Sequence, residues 1–226
     1  MNYPIVMFVG KLGSGKDTAA QFMRDRVKKA GVITLAAPMK EFAKKVFGFT
    51  HDQMYGSSAL REQVFTKDNH SAIEDFKRYA PAFIEDLFSK DLQSNGEALD
   101  KWFWSIIDDG PRTGRHILQT LGTEFGRAQD QDVWIRAGIN GATQALVEGA
   151  DLVTFTDGRF RNEVLAIKRV GGMIVNVIDP DNRTVAVHAS EKEQESIPEF
   201  WYDYRLVNRK GMGLLNLKHL VDSIPL

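Results

Sequence analysis

Gly10-Lys11-Leu12-Gly13-Ser14-Gly15-Lys16-Asp17-Thr18 decides how this chain is read. The apolar run Ile5-Val6-Met7-Phe8-Val9 precedes it, and a segment from Thr18 to Lys29 with helical apolar spacing follows it. Strand, glycine-rich turn and helix, in that order, are the setting of a phosphate-binding loop. Successive backbone N–H groups in such a turn point into one concavity, and the helix N-terminus adds positive potential. Lys16 brings a mobile charge for the outer phosphates. One residue departs from the common pattern. Asp17 stands where Ser or Thr usually follows the lysine, and the hydroxyl comes one position later, at Thr18.

Outward from the loop, the punctuation predicts alternating strands and helices. Ala19, Ala20, Phe22, Met23 and Val27 give the first helix its apolar face, and Gly31 is expected to end it. A second strand is expected near Val32–Ala36, then a helix opened by Pro38 at its first position and stopped by Gly48. Residues 49–112 are rich in charges, Ser, Asn and aromatics, with helical pieces expected at Ser58–Phe65, Ser71–Phe88 (broken near Pro81) and Glu97–Ile107. They read as a helical insertion in one domain spanning 1–226. Beyond it, helices are expected at Arg115–Leu121, ending at Gly122, and at Val133–Val147. Leu152–Thr156 reads as a buried strand, Asn162–Val170 as a helix and Met173–Ile178 as a strand. Ser190–Glu193 has capping-box spacing, Tyr204–Asn208 reads as the last strand, and a helix around Leu214–Val221 follows. This alternation predicts an α/β fold with a parallel sheet covered on both faces.

Composition narrows the function classes. The 226 residues are 43% hydrophobic and 26% charged, ordinary for a globular chain, with a net charge of −1. With no basic excess, nothing requires a nucleic-acid partner. Cysteine is absent, which excludes disulfides and thiolate metal sites. His51, His70, His116, His188 and His219 are scattered without metal-ligand spacing. Met1-Asn2-Tyr3-Pro4 carries no basic side chain, so no signal peptide is expected. No stretch approaches the roughly 20 apolar residues of a membrane span. A cytoplasmic location is expected.

Phosphoryl transfer needs donors around the phosphates, a divalent cation, and positive charge on the group in flight. Leu12, Gly13, Ser14, Gly15, Lys16, Asp17 and Thr18 are the candidates for the phosphates. Asp17 cannot serve as a hydroxyl ligand but can hold Mg²⁺ through water. Asp157 ends a buried strand, where an acid can steer a metal or simply make the turn before Gly158. Arg159 and Arg161 follow, and arginine forks onto phosphate oxygens. In Arg115–Arg127, Arg115 and Gln119 share one helical face, while Gly122 and Thr123 offer backbone donors. Arg127 and Trp134 complete a kit for a nucleotide: cation, base-edge amide, and an aromatic for a base or sugar face. An amphipathic helix with a capped end explains the same stretch. Lys40 suits an acceptor phosphate or a solvated helix surface.

These residues together resemble the bacteriophage deoxynucleoside monophosphate kinases, within the P-loop nucleoside monophosphate kinases. The resemblance rests on Ser14-Gly15-Lys16-Asp17-Thr18, Ala36-Ala37-Pro38-Met39-Lys40, Leu118 to Glu124 with Trp134, Asp157 to Glu163, His188-Ala189-Ser190-Glu191, and the final strand with Asn208. Residues 49–112 match poorly. The resemblance implies a five-stranded parallel sheet with a helical insertion. It implies transfer from ATP, with Mg²⁺, to a deoxynucleoside monophosphate, and it suggests a homodimer and, for a phage protein, the host cytoplasm. Members of the family often place a non-hydroxyl residue after the lysine, as Asp17 is here. By resemblance, Gly13 to Thr18 hold ATP phosphates. Ala37, Lys40, Arg61, Arg115, Gln119, Gly122, Thr123, Arg127 and Trp134 surround the acceptor. Asp157, Gly158, Arg159 and Glu163 lie between the two, with Lys16, Asp157 and Arg159 catalytic; Arg183 is a lid or adenine-side residue. A kinase of a dephospho-coenzyme A-like molecule, and an ATP-binding regulatory module, remain the alternatives.

Overall fold

A computed structural model describes residues 4–56, 58–108, 110, 112–181 and 196–226. Arg183, the His188–Glu191 turn and the capping box at Ser190–Glu193 lie outside the described residues. The chain divides into two compact units. One comprises the described residues of Met1–Leu35 and Gly138–Leu226, the other Ala36–Ala137.

The first unit is built on five strands: β1 (Ile5–Val9), β2 (Ala30–Ile33), β3 (Leu152–Phe155), β4 (Met173–Ile178) and β5 (Tyr204–Val207). They form one parallel sheet in the order β2-β3-β1-β4-β5. β1 and β3 are buried along their whole length, the pattern of central strands covered on both sides. Side chains alternate between faces. On one face Val6, Phe8, Val175, Val177 and Leu206 pack with Ala19, Ala20 and Met23 of α1 (Lys16–Arg24) and Leu217 and Val221 of α10 (Gly213–Asp222). On the other, α9 (Arg161–Arg169) contacts β1 and β4. There too Gly138 of α8 (Val133–Val147) lies so near Phe155 that a Cβ would stand 3.0 Å from its ring.

α1 stops at Arg24, and Gly31 sits inside β2 opposite Val153 instead of ending the helix. The reason is packing: a Cβ on Gly31 would stand 3.2 Å from Val153 Cγ2, so the glycine serves a close approach.

The second unit is helical: α2 (Ala37–Phe47), α3 (His51–Tyr55), α4 (Ser58–Arg61), α5 (Asn69–Leu87), α6 (Leu92–Asp108), α7 (Gly114–Thr120), a π-helix (Leu121–Arg127) and the start of α8. Pro38 lies in the first turn of α2, and Gly48 caps it with a left-handed backbone. Its core is aromatic. Phe42 stacks on Phe83 at 4.1 Å and Phe76 on Phe103 at 3.9 Å, while Phe47 meets Phe65 and Trp102. Most of the aromatics of this stretch therefore pack their own unit; Trp104 is 44% exposed.

Two expectations change here. α5 runs unbroken through Pro81, although proline removes a bond to the residue four earlier. The buried face of Phe76, Ala80, Phe83, Ile84 and Leu87 holds both halves in line. Gly122 does not end α7, because the chain continues as the π-helix, an uncommon geometry that recurs at functional sites.

Candidate functional site

The loop leaves the C-terminal end of β1, where the sheet order turns outward to either side. Parallel sheets open their ligand crevice at such a point. Gly10 has φ 154°, and a Cβ there would stand 2.4 Å from the Val177 carbonyl oxygen and 2.6 Å from Ser14 Oγ. Only glycine lets the loop pass this close to β4. The Ser14 N–H donates to Lys11 O at 3.1 Å, closing the turn. Gly15, at φ 93°, is the N-cap of the nine-residue α1. The first intrahelical bond runs from the Ala19 N–H to Gly15 O at 2.9 Å. The N–H groups of Gly15, Lys16, Asp17 and Thr18 precede it, so they are the free donors of a helix start. A helix N-terminus with these donors favours an anion.

The side chains fit that use. The Lys16 side chain is only 12% exposed, and its Nζ lies 3.3 Å from Oδ2 of Asp17, which is 73% exposed. Water screens such a pair, so Asp17 neutralises Lys16 only weakly. Ser14 Oγ is buried and has no hydrogen-bond partner. Leu12, at the loop tip, is 65% exposed. A cleft of about 400 Å³ opens beside the loop, bounded by Gly10, Lys11, Ser14, Asn176, Tyr202 and Arg205 among others.

Asp157 follows β3, the neighbour of β1. The pair Met7–Phe155 sets Val9 abreast of Asp157, so both turns leave the same edge of the sheet. Asp157 Oδ1 accepts from the Leu35 N–H at 3.0 Å, tying the end of β3 to the end of β2. Gly158 is buried against Met7, whose Sδ would lie 2.6 Å from a Cβ. Glu163 is 3% exposed, and its Oε2 accepts from the backbone N–H groups of Arg159 at 2.7 Å and Phe160 at 3.0 Å. It caps the start of α9 and fixes the turn that carries the exposed Arg159. Glu163 thus acts on the backbone in this structure.

In the second unit Lys40, Arg61 and Arg115 contact residues in or beside α3 and α4. Lys40 Nζ lies 4.2 Å from the Tyr55 ring centroid, a cation–π contact. The Tyr55 hydroxyl donates to Glu41 Oε1 at 2.9 Å. Burial, and then Glu41, push the Tyr55 pKa up to about 12, so the phenol stays a donor. Arg61 Nη2 donates to Gly56 O at 3.3 Å, while its Nε is buried without a partner. Arg115 Nε pairs with Glu62, the residue after Arg61. Gln119 and Thr123 are exposed, Arg127 is half-buried, and Ala37 starts α2.

Trp134 differs from the expectation. It is 2% exposed, and its Nε1 donates to Gly122 O at 2.9 Å. A Cβ on Gly126 would stand 2.3 Å from its ring. The indole is sealed against the π-helix and offers no face to a base. It shapes the Gly122–Gly126 backbone instead. The buried Gly122 presents its carbonyl to the indole.

Sequence reading gave no role to Asn208 or Tyr55. Asn208 follows β5, and its Nδ2 donates to Ser14 O at 2.9 Å within the loop. Its signals in the sequence are its place in the resemblance and a polar residue at the end of an apolar strand.

Among the described residues no group of three His, Asp or Glu stands close enough to cage a metal. Asp17 stands at the start of α1, Asp157 follows β3, and Asp179 follows β4 and lines the cleft beside the loop. That donor set suits magnesium, which keeps much of its water and takes one or two carboxylates plus phosphate oxygens. Among the described residues no helix is long and apolar enough to cross a membrane.

No protein-family model matches the chain. A protein of Acanthamoeba polyphaga mimivirus named "Putative deoxynucleotide monophosphate kinase" is 27% identical over 217 residues, covering 91% of this chain and 89% of that one. The solved structure "Crystal structure of TT1252 from Thermus thermophilus" shares 12% identity and a TM-score of 0.48, over 99% of this chain and 96% of that one.

Proposed function

We propose that this protein is a P-loop kinase that transfers the terminal phosphoryl group of ATP to a deoxynucleoside monophosphate. The observation that carries the reading is the loop itself. A glycine-shaped turn between β1 and α1 aims the donors of Gly15 to Thr18 and the Lys16 ammonium from one edge of a parallel sheet. The name of the mimivirus relative supports a nucleotide as the acceptor. In this reading Leu12 to Thr18 take the ATP phosphates. Lys16 and Arg159 stabilise charge on the group in flight, without a phosphoenzyme. Ala37, Lys40, Arg61, Arg115, Gln119, Gly122, Thr123 and Arg127 serve the acceptor, with Trp134 holding the turn at Gly122. Asp157, and Asp17 through water, are the residues that would hold Mg²⁺, which neutralises phosphate charge. Glu163 and Gly158 keep Arg159 in place. The assembly proposed is a homodimer, which light scattering of the purified protein checks.

The test is a panel of acceptors. With ATP and Mg²⁺, deoxynucleoside monophosphates give equal amounts of ADP and deoxynucleoside diphosphate, resolved by anion-exchange chromatography. Transfer to dephospho-coenzyme A alone, or ATP binding with no transfer, overturns the reading. A finer result is expected for Asp157→Asn. The amide oxygen still accepts from the Leu35 N–H, so the melting temperature holds within about 2 °C, while kcat falls about 100-fold from the lost charge. An unchanged kcat and an unchanged Mg²⁺ dependence remove Asp157 from the chemistry.

A further inference from the structure

We infer that Asn208 is a positioning residue of the phosphate loop: it sets the direction of the Gly15 N–H. The inference rests on the reading of the loop as a polyphosphate site. Asn208 is 7% exposed, and its own N–H donates to Ile178 O at 2.7 Å, which fastens it to the end of β4. Its side-chain Nδ2 donates to Ser14 O at 2.9 Å in a buried bond. The chemistry fixes the orientation of the amide, because a carbonyl oxygen only accepts and the NH₂ must face it.

The consequence follows from peptide geometry. The bond between Ser14 and Gly15 is planar and trans, so its C=O and N–H point in opposite directions. Holding the Ser14 carbonyl against Asn208 sends the Gly15 N–H to the opposite side of the loop. The Ser14 N–H donates to Lys11 O, which fixes the peptide before Ser14 as Asn208 fixes the one after it. Space enforces the same plane. A Cβ on Gly15 would stand 2.4 Å from Asn208 Nδ2 and 3.5 Å from Leu217 Cδ2, so the backbone is seated directly on the amide. Gly15, at φ 93°, is a residue whose adjoining peptides turn easily when nothing holds them. Asn208 supplies the hold from just beyond β5, remote in sequence, where the loop's own residues cannot.

The test uses the full chain and inorganic tripolyphosphate. Wild-type protein binds it in calorimetry, and the Gly15 amide is among the resonances that move most on titration in ¹⁵N NMR. Asn208→Leu keeps the shape and removes the donor; Asn208→Asp places an acceptor against the Ser14 carbonyl. Both weaken tripolyphosphate binding about 10- to 100-fold, the expected cost of misdirecting a bond to a charged group. Val221→Ala, on the buried face of α10, lowers the melting temperature without changing that affinity. With ATP as the ligand, the Asn208 variants raise KM for ATP more than they lower kcat. If wild-type binds but the folded variants bind as tightly, or if the wild-type Gly15 amide does not move, the role of Asn208 is refuted. If the wild-type protein binds no tripolyphosphate, the polyphosphate reading of the loop fails and takes this inference with it.

Discussion

Lys16→Ala is expected to lower turnover about 100- to 1000-fold in a coupled ADP-release assay with dGMP or dTMP, with little change in melting temperature. The two halves of that expectation have separate causes. The Lys16 side chain is 12% exposed, yet the ion pair shown for it is with Asp17, whose carboxylate is 73% exposed and screened by water. Removing the ammonium therefore breaks no strong internal bond, and stability is preserved. The proposed reaction has no such cushion, because in it the charge of the moving phosphoryl group would be met by few cations. Lys16→Arg is not expected to restore activity. A planar guanidinium is wider than an ammonium and presents its charge differently. Turnover near wild type in Lys16→Ala would sink the role assigned to this residue.

Trp134→Ala is expected to cost about 3–5 kcal/mol of stability, read by urea denaturation, as for a large aromatic removed from a packed core. The indole is 2% exposed and fills the space over Gly126 beside the ring of Phe83, which in turn meets Phe125. Trp134→Phe separates packing from hydrogen bonding. It keeps an aromatic body but leaves Gly122 O without its indole donor, at a cost of about 1–3 kcal/mol. The kinetic signature is a raised KM for the deoxynucleoside monophosphate with KM for ATP unchanged, since the π-helix carries Thr123 and Arg127. If stability and both KM values are unmoved, the indole does not shape that backbone.

Much of the fold was legible because local signals agreed with packing. Met173–Ile178 and Val133–Val147 are a strand and a helix with the bounds their patterns suggest, each closed by a glycine turn or a polar break. The loop was legible because glycines at Gly10 and Gly15 are needed for physical reasons that leave few alternatives. What could not be read depends on partners far away in sequence. Gly31 looks like a helix stop until Val153 is seen beside it. Pro81 looks like a break until the aromatic face of α5 is seated. Trp134 looks like a base platform until it is found sealed over Gly126. At the candidate site the residue types were readable, but their pairing was not. That Glu62 holds Arg115, that Glu163 caps the Arg159 turn, and that Asn208 reaches Ser14 are tertiary facts with no periodicity to announce them.

The strand order also dictates when the protein can assemble. β1 is made well before β3 and β4, yet Ile5 pairs with Val153 and Val6 with Met173. Until residues beyond 150 are made, β1 has no partner, and its five apolar side chains must wait. The helical unit, Ala36–Ala137, is continuous in sequence and can collapse during that interval. Its folding turns a long floppy loop between β1 and β3 into a shorter effective one and so lowers the entropy to be lost when they meet. The glycine-rich loop after β1 is therefore made long before it can take its shape, because Asn208, whose side chain holds the Ser14 carbonyl, lies 194 residues further along the chain.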